Sequence, residues 1–189
     1  MGHIRAAIQT RGAEMKRFFL LRHAKSLRDE ARKDKDRPLN TRGRNDAPRM
    51  GGYMHHRHYL PALVLCSTAK RTVETWELLG PELDGTADVR FLDSLYLAPD
   101  KTIEKIVRSL DDGVSSVLVL GHNPGLEDCA KAFAREPAST EERKLNDELR
   151  TKFPTCALAV FDFDVTDWVK IERGTGALID YARPKGLAD

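Results

Sequence analysis

Histidine and arginine residues closely follow three apolar runs of this 189-residue sequence. Arg22 and His23 end the first run, Arg71 lies a few residues after the second, and His122 follows a later one. Guanidinium groups bind phosphate oxygens through charge-assisted hydrogen bonds. A histidine among them is a competent nucleophile toward phosphorus. These residue types therefore favour chemistry on a phosphate group.

Short apolar runs that alternate with helical patterns must position these side chains. The runs predict strands at 16–22, 60–66, 89–92 and 116–120. The segments between and after them predict helices whose caps are Thr41, Ser67 or Thr68, Asp100 and Asn123, the last with Pro124 at its first position. This alternation indicates a doubly wound α/β sheet with helices on both faces. Ligands of such sheets lie beyond the carboxyl ends of the strands, where all four candidate residues fall.

The C-terminal part of the sequence predicts a charged, partly helical stretch and then three strands. The stretch covers 135–152, and the strands are expected at 156–163, 168–173 and 177–183. Gly174 and Gly176 fall between the last two strands, so they indicate a hairpin turn rather than a dinucleotide-binding loop. The sequence has no Walker A motif, which excludes the commonest kind of ATPase.

Motifs in this order along an α/β pattern resemble those of the histidine phosphatase superfamily, which has the fold of the phosphoglycerate mutases. They are Arg22-His23, Ser67-x-x-x-Arg71-x-x-x-Thr75 and Gly121-His122. The wider pattern, over residues 16 to about 183, is similar to the small SixA-type phosphohistidine phosphatases. Its elements are Leu20-Leu21-Arg22-His23-Ala24-Lys25-Ser26, Arg37-Pro38-Leu39, Gly43, Gly121-His122-Asn123-Pro124 and Phe153-Pro154-Thr155.

This resemblance implies a fold and four site residues. The fold would be a three-layer α/β/α arrangement with a mostly parallel central sheet flanked by helices. His23 would be the nucleophile that is transiently phosphorylated. Arg22, Arg71 and His122 would hold the phosphoryl oxygens and the developing charge. No cofactor and no metal ion are implied, because the cations of the site neutralise the phosphoryl group.

The resemblance also implies a phosphatase, most specifically one that removes the phosphoryl group from protein phosphohistidine. The alternative is a phosphatase of small phosphate esters or pyrophosphates in the same superfamily. A third interpretation is a catalytically weak module that binds phosphorylated ligands. The expected partner is a phosphorylated protein or a small phosphorylated substrate, with no nucleic acid and no membrane.

Two positions depart from the family pattern. In the superfamily a glycine most often follows the histidine, whereas this chain has Ala24. The short SixA-type proteins share this change. Ser94 best matches the position at which the mutases carry a glutamate general acid, and serine is not a strong acid. Asp93 is a weak substitute, because neighbouring side chains of an extended segment point to opposite sides. A phosphorylated imidazole leaves more easily than an alkoxide, so the missing acid favours a phosphohistidine substrate.

Charge is unevenly distributed along the chain. Residues 1–71 hold 17 Lys and Arg against 6 Asp and Glu, whereas the whole chain has a net charge of +2. This indicates that an anionic substrate meets the N-terminal part. Nucleic acid is disfavoured because only 7% of the residues are aromatic, which leaves few side chains for base stacking. The charged run from Arg28 to Arg37 is interpreted as a mostly solvated loop. Arg28, or Lys25 just before the run, is a candidate to assist anion capture.

Composition predicts one compact domain over 16–189 after a flexible extension over 1–15. No apolar run approaches the roughly 20 residues of a spanning helix. No secretory signal is recognised, and Cys66, Cys129 and Cys156 are expected to be buried thiols, so a cytoplasmic location is expected.

Two further expectations concern the surroundings of the site. His55, His56 and His58 are better explained by a solvated helix end than by a metal site. Only about ten residues separate Leu92 from the helix at Lys101, so no large cap is expected over the site from there, although 135–152 could cover it.

Overall fold

The computed structural model describes residues 15–28, 31–84 and 87–187. The predicted N-terminal extension lies outside these residues except for Met15. Six strands form one sheet in the order β3-β2-β4-β1-β5-β6. Their bounds are Lys16–Arg22 (β1), Leu63–Ser67 (β2), Asp88–Leu92 (β3), Ser116–Gly121 (β4), Leu158–Phe163 (β5) and Ala177–Ala182 (β6).

Pairing divides the sheet into a parallel part and an antiparallel edge. Strands β1, β2, β3 and β4 are parallel, whereas β5 is antiparallel to β1 and β6 is antiparallel to β5. In the β1–β4 register Arg22 is opposite Gly121, so the residues that follow, His23 and His122, emerge side by side. The parallel part of the sheet therefore brings the candidate site together at the carboxyl ends of its strands.

Helices cover both faces of the sheet and confirm the predicted three-layer α/β/α fold. Alternate residues of each central strand contact opposite helical layers, as the two-residue period of a strand requires. One layer contains α1 and α2, and the other contains α3, α4 and α5. The helices are Thr41–His56 (α1), Lys70–Leu79 (α2), Asp100–Arg108 (α3), Gly125–Phe133 (α4) and Thr140–Thr151 (α5).

The predicted strand at 168–173 is wrong. Trp168–Lys170 is a short 3-10 helix in the connection between β5 and β6, and it does not extend the sheet. The Trp168 indole is fully buried and donates from Nε1 to the carbonyl of Val114 at 2.7 Å. Gly174, with φ of 75°, therefore lies in a turn between this helix and β6, not in a hairpin between two strands.

Several helix caps also differ from the sequence prediction. Asn40, not Thr41, caps α1, because its side chain accepts from the Gly43 amide at 2.9 Å. The residues that precede α2, α3 and α4 are Ala69, Pro99 and Pro124, so Asp100 is the first residue of α3 rather than its cap, and none of these three helices has a side-chain cap. Ser67 and Asn123 do not cap these helices. The Ser67 hydroxyl bonds to His122 instead, and the Asn123 side chain donates to Glu127 and to the carbonyl of Phe153.

The three cysteines are buried and unpaired, as the sequence predicted. Within the part of the chain that the structure describes, no helix is both long and apolar enough to cross a membrane.

Candidate active site

A cavity of about 300 Å³ lies at the carboxyl ends of β1 and β4 and beside α2. All four residues predicted for the site line it: Arg22, His23, Arg71 and His122. Sequence reasoning placed these residues at one edge of the sheet, and the structure brings them into one cavity. Further lining residues are Lys25, Ser26, Arg28, Arg37, Leu97, Asn123 and Thr155.

His23 follows β1 and presents one ring nitrogen to the cavity. Its Nδ1 lies 2.7 Å from the carbonyl oxygen of Ala24. Because a carbonyl only accepts hydrogen bonds, Nδ1 carries the proton and Nε2 keeps its lone pair. Burial lowers the pKa of His23 well below 6.5, and the nearby His122, Arg71 and Arg22 lower it further. The ring is therefore neutral at physiological pH, as a nucleophile must be.

His122 follows β4, and its ring centroid lies 5.2 Å from that of His23. Its Nε2 is 2.8 Å from the Ser67 hydroxyl, which also accepts a 3.4 Å bond from the Ala69 amide. A serine hydroxyl can donate or accept here, and we assign the ring proton of His122 to Nδ1, which makes Nε2 the acceptor of the hydrogen bond from Ser67. This Nδ1 is buried without a partner among the described residues. Burial, with Arg71 nearby, lowers the pKa of His122 to about 3, so the ring is neutral at physiological pH.

The guanidinium group of Arg22 has one nitrogen that is hydrogen-bonded to the backbone and one that has no partner among the described residues. Its Nη1 donates to the carbonyl of Phe153 at 2.8 Å, and Asn123 Nδ2 donates to the same oxygen at 3.0 Å. Its Nε is buried and makes no hydrogen bond within the described residues. Burial lowers the pKa of this guanidinium, which still remains a cation at neutral pH. An unpartnered buried donor of this kind is costly unless an anion binds to it.

Arg71 is held by a carboxylate that the sequence analysis did not assign to the site. Its side chain is only 4% exposed. Its Nη1 donates to the backbone carbonyl of Asp34 at 2.6 Å, and its Nη2 donates to the Asp34 carboxylate at 3.0 Å. Tyr96 also donates to this carboxylate, at 2.7 Å, and is the main cause of the lowered pKa of Asp34. The edge of the Tyr96 ring contacts His122, with 5.6 Å between centroids.

Comparison with known proteins places this geometry in a family. Residues 18–96 match the model of the histidine phosphatase superfamily (branch 1). The uncharacterized protein Rv1276c of Mycobacterium tuberculosis is 34% identical over 87% of this chain and 100% of its own length. A solved structure that bears the name phosphohistidine phosphatase SixA, from Agrobacterium tumefaciens, is 31% identical and superimposes with a TM-score of 0.73. That alignment covers 89% of this chain and 98% of the other.

The chain belongs to the histidine phosphatase superfamily. A second SixA structure, from Nakamurella multipartitia, is 29% identical over 90% of this chain and 96% of its own, with a TM-score of 0.74. Membership makes this protein a phosphatase of that superfamily and confirms the family predicted from the motifs. The fold, the motifs and the cation-lined cavity all agree with this assignment.

Two further motif residues, Thr75 and Gly43, hold the backbone around the cavity. The Thr75 hydroxyl donates to the carbonyl of Arg71 at 2.6 Å and accepts from the Ala24 amide at 3.0 Å, so it links β1 to α2. Gly43 lies against the segment that follows β1, where a Cβ atom would come within 2.2 Å of the Lys25 carbonyl oxygen. These two residues position the segment that carries His23, and neither of them lines the cavity.

Neither candidate for the missing general acid lines the cavity. The expectation of an extended segment here is wrong, because Asp93–Leu95 is a 3-10 helix. Ser94 is exposed, and Asp93 points to solvent, where it accepts from Lys35 at 2.6 Å and from the Thr68 hydroxyl. The hydrogen bond from Lys35 is the main cause of the lowered pKa of Asp93, which makes that carboxyl a poor proton donor.

The charged run after β1 forms one wall of the cavity rather than a fully solvated loop. Lys25 and Arg28 line the cavity, as expected of residues that assist anion capture. Arg37 donates to the Ser26 hydroxyl at 2.7 Å and to the Asp34 carboxylate at 2.9 Å. Asp34 thus connects Arg37 of this wall to Arg71 of α2.

No part of 135–152 lines the cavity, because α5 packs against α4 and β6 and buries Leu149 in the core. Among the described residues no group of three or more His, Cys, Asp or Glu is arranged to hold a metal ion. His55 lies at the end of α1 with its Nδ1 3.6 Å from the Asp84 carboxylate.

Proposed function

We propose that this superfamily member removes the phosphoryl group from protein phosphohistidine through a phosphorylated intermediate on His23. One observation carries the proposal: the Nδ1 of His23 is bonded to a backbone carbonyl, so the lone pair of Nε2 faces a cavity lined by cations. The relatives that bear the name phosphohistidine phosphatase support this choice of substrate.

In the first step Nε2 of His23 attacks the phosphorus of the substrate, and a new N–P bond forms as the substrate's N–P bond breaks. The departing imidazole keeps the electron pair of the broken bond. The reacting form of the substrate is protonated on its other ring nitrogen, so the ring departs as neutral imidazole and retains that proton. No proton from the enzyme is required for this substrate.

In the second step a water molecule attacks the phosphorus of phospho-His23. The N–P bond breaks, the electron pair returns to Nε2, the water loses a proton to solvent, and inorganic phosphate leaves. The bond broken here is of the same kind as the bond broken in the first step. A site that releases its own imidazole from phosphorus without a carboxylic acid is therefore suited to a substrate with the same leaving group.

Arg22, Arg71 and His122 would stabilise the three phosphoryl oxygens during both steps. Arg22 offers its unpartnered Nε, and His122 offers Nδ1–H. Arg71 offers its guanidinium once the anion competes with Asp34. Fixed donors aimed at the developing charge are the largest contribution in many enzymes of this kind, and they need no metal ion.

The absence of an acid sets the expected order of substrates. Among the described residues no Asp or Glu lines the cavity, and the pKa of nearby Asp34 is lowered, which keeps it ionised at neutral pH. General-acid help is worth about 10²–10⁴ in rate, and alkyl phosphates need it most because an alkoxide is a poor leaving group.

The test compares kcat/KM for a phosphohistidine protein, an aryl phosphate and 3-phosphoglycerate, each with and without EDTA. We expect the first two to be hydrolysed and 3-phosphoglycerate to be slower by about 10²–10⁴. EDTA should change none of the rates, because arginines take the place of a metal ion. Equal efficiency on 3-phosphoglycerate would favour a small-ester phosphatase, and no turnover of any substrate would favour a binding module.

A further inference from the structure

A second depression, of about 450 Å³, adjoins the active-site cavity, and Thr155 lines both. Its charged lining residues are all cations, which we call the basic rim: Arg42, Lys152, Arg183 and Lys185. Among the described residues, no Asp or Glu lines either cavity. A continuous positive surface therefore extends from the phosphoryl site to the basic rim.

The fold assembles the basic rim from distant parts of the chain. Arg42 lies in the first turn of α1, Lys152 directly follows α5, Arg183 follows β6, and Lys185 lies in the 3-10 helix Pro184–Gly186. Three of these four cations come from the C-terminal part of the chain, in which acidic residues outnumber basic ones. The expectation that an anion meets only the N-terminal part is therefore incomplete, because tertiary structure and not sequence position collects the charge.

Two of the rim cations are not neutralised by neighbouring acids. Lys152 and Lys185 are exposed, and neither side chain forms an ion pair or hydrogen bond with the described residues. Arg42 pairs with Asp46 at 3.3 Å and Arg183 pairs with Glu148 at 2.5 Å. The rim therefore carries net positive charge that a partner can use.

The basic rim differs in construction from the phosphoryl site. The phosphoryl site has buried donors without partners, Arg22 Nε and His122 Nδ1, which suit one small anion held in fixed geometry. No rim side chain has such a buried donor within the described part of the chain. Lys152 and Lys185 are long, exposed and flexible, so they suit negative charge that is spread over a surface.

We propose that the basic rim docks an acidic face of the protein whose phosphohistidine enters the active-site cavity. This inference rests on the proposed function and names the kind of protein that serves as substrate. Exposed charges of this kind act mainly by steering the encounter, so they change the association rate and its dependence on salt. They should not affect a small substrate that fits within the phosphoryl site.

The experiment uses the Lys152→Glu/Lys185→Glu double variant and three phosphohistidine substrates. These are a small acidic protein and a small basic protein, each chemically phosphorylated on histidine, and the free amino acid N-phosphohistidine. We expect kcat/KM for the acidic protein to fall about tenfold at low salt, through KM, and the difference to shrink above about 0.5 M salt. The rate on free phosphohistidine should change less than twofold.

A matched control carries the same charge change away from both cavities. Lys105→Glu/Lys144→Glu replaces two exposed lysines of α3 and α5, and it should retain the wild-type preference for the acidic protein. The docking proposal is overturned if the rim variant treats the acidic protein as wild type does, or if it loses activity equally on all three substrates. If the wild-type enzyme releases no phosphate from any phosphohistidine substrate, the proposed function itself fails and the docking surface fails with it.

Discussion

The two histidines that follow β1 and β4 are held by different ring nitrogens. His23 and His122 follow neighbouring parallel strands, and both rings are buried beside the same cavity. A backbone carbonyl holds Nδ1 of His23, whereas a serine hydroxyl holds Nε2 of His122. The ring nitrogen that remains for the cavity is therefore Nε2 in one residue and Nδ1 in the other.

This difference shows how one residue type can supply two kinds of chemistry. A partner that only accepts leaves a lone pair on the far nitrogen, so His23 is suited to attack phosphorus. A partner that donates leaves an N–H on the far nitrogen, so His122 is suited to bind a phosphoryl oxygen. The chemistry of each ring is set by the group behind it and not by the ring itself.

The largest effect is expected from His23→Ala. Removing the nucleophile removes the covalent route, so phosphate release should fall by at least about 10³-fold. The fold should persist, because the hydrogen bonds from the His23 amide to Gly121 and from the Cys156 amide to His23 involve only the backbone. Phosphate release and circular dichroism measure the two effects.

A matched control is His56→Ala, at an exposed histidine near the end of α1. It should leave turnover unchanged. A quenched reaction of wild type with substrate should also yield acid-labile phosphate on His23. If His23→Ala kept more than a few per cent of the wild-type rate, the assignment of the nucleophile would be wrong.

Much of this fold could be predicted from the sequence because β1, β2 and β4 are buried on both faces. Such strands are continuous apolar runs, and their order with helices fixes the class of fold. The strand predicted at 168–173 is wrong because two buried apolar residues, Trp168 and Ile171, produce the same local apolar signal as a short strand.

The four predicted site residues came from motifs, whereas their partners did not. Asp34 is 37 residues from Arg71, and Ser67 is 55 residues from His122. Asp34 lies in a charged run and Ser67 at a presumed helix start, and both patterns have a simpler local explanation. Only the packing of the sheet end shows which side chains they contact.

Stability should depend on pH through both buried histidines. Because the pKa of each is lowered in the folded protein, the unfolded chain binds more protons below its own pKa of about 6.5. Stability is therefore complete above pH 7 and falls as the pH decreases. For His122, whose pKa is about 3 in the folded protein, the loss at pH 5.5 is about 1.4 kcal/mol, or tenfold in the unfolding equilibrium.

Urea unfolding of wild type and His122→Ala at pH 7.5 and 5.5, in buffers without phosphate or sulfate, measures this loss. The variant should lose about 1.4 kcal/mol less than wild type between the two pH values. His56→Ala, at an exposed position of α1, is the matched control for removal of a histidine side chain. Equal losses in wild type and His122→Ala would contradict a buried, neutral His122.

The smallest effect is expected from Ser67→Ala, which changes the partner of His122 and leaves the ring in place. Without the hydroxyl, Nε2 of His122 no longer accepts a hydrogen bond from Ser67. The population of His122 rings is then distributed between the two neutral tautomers. The fraction with Nδ1–H toward the cavity falls, and one hydrogen bond is lost, so kcat/KM should decrease by about 2–10-fold.

A simple loss of packing would also slow the enzyme, so a second measurement separates the two explanations. Nitrogen-15 NMR of the imidazole rings should show the Nδ1–H tautomer of His122 in wild type and a mixture in Ser67→Ala, with His23 unchanged because its partner is a backbone carbonyl. Ser109→Ala, at the exposed end of α3, removes a hydroxyl far from the cavity and should change neither rate nor tautomer. If Ser67→Ala retained the Nδ1–H tautomer and the full rate, then burial alone would orient His122, and the contrast with His23 would not depend on the hydrogen-bond partner.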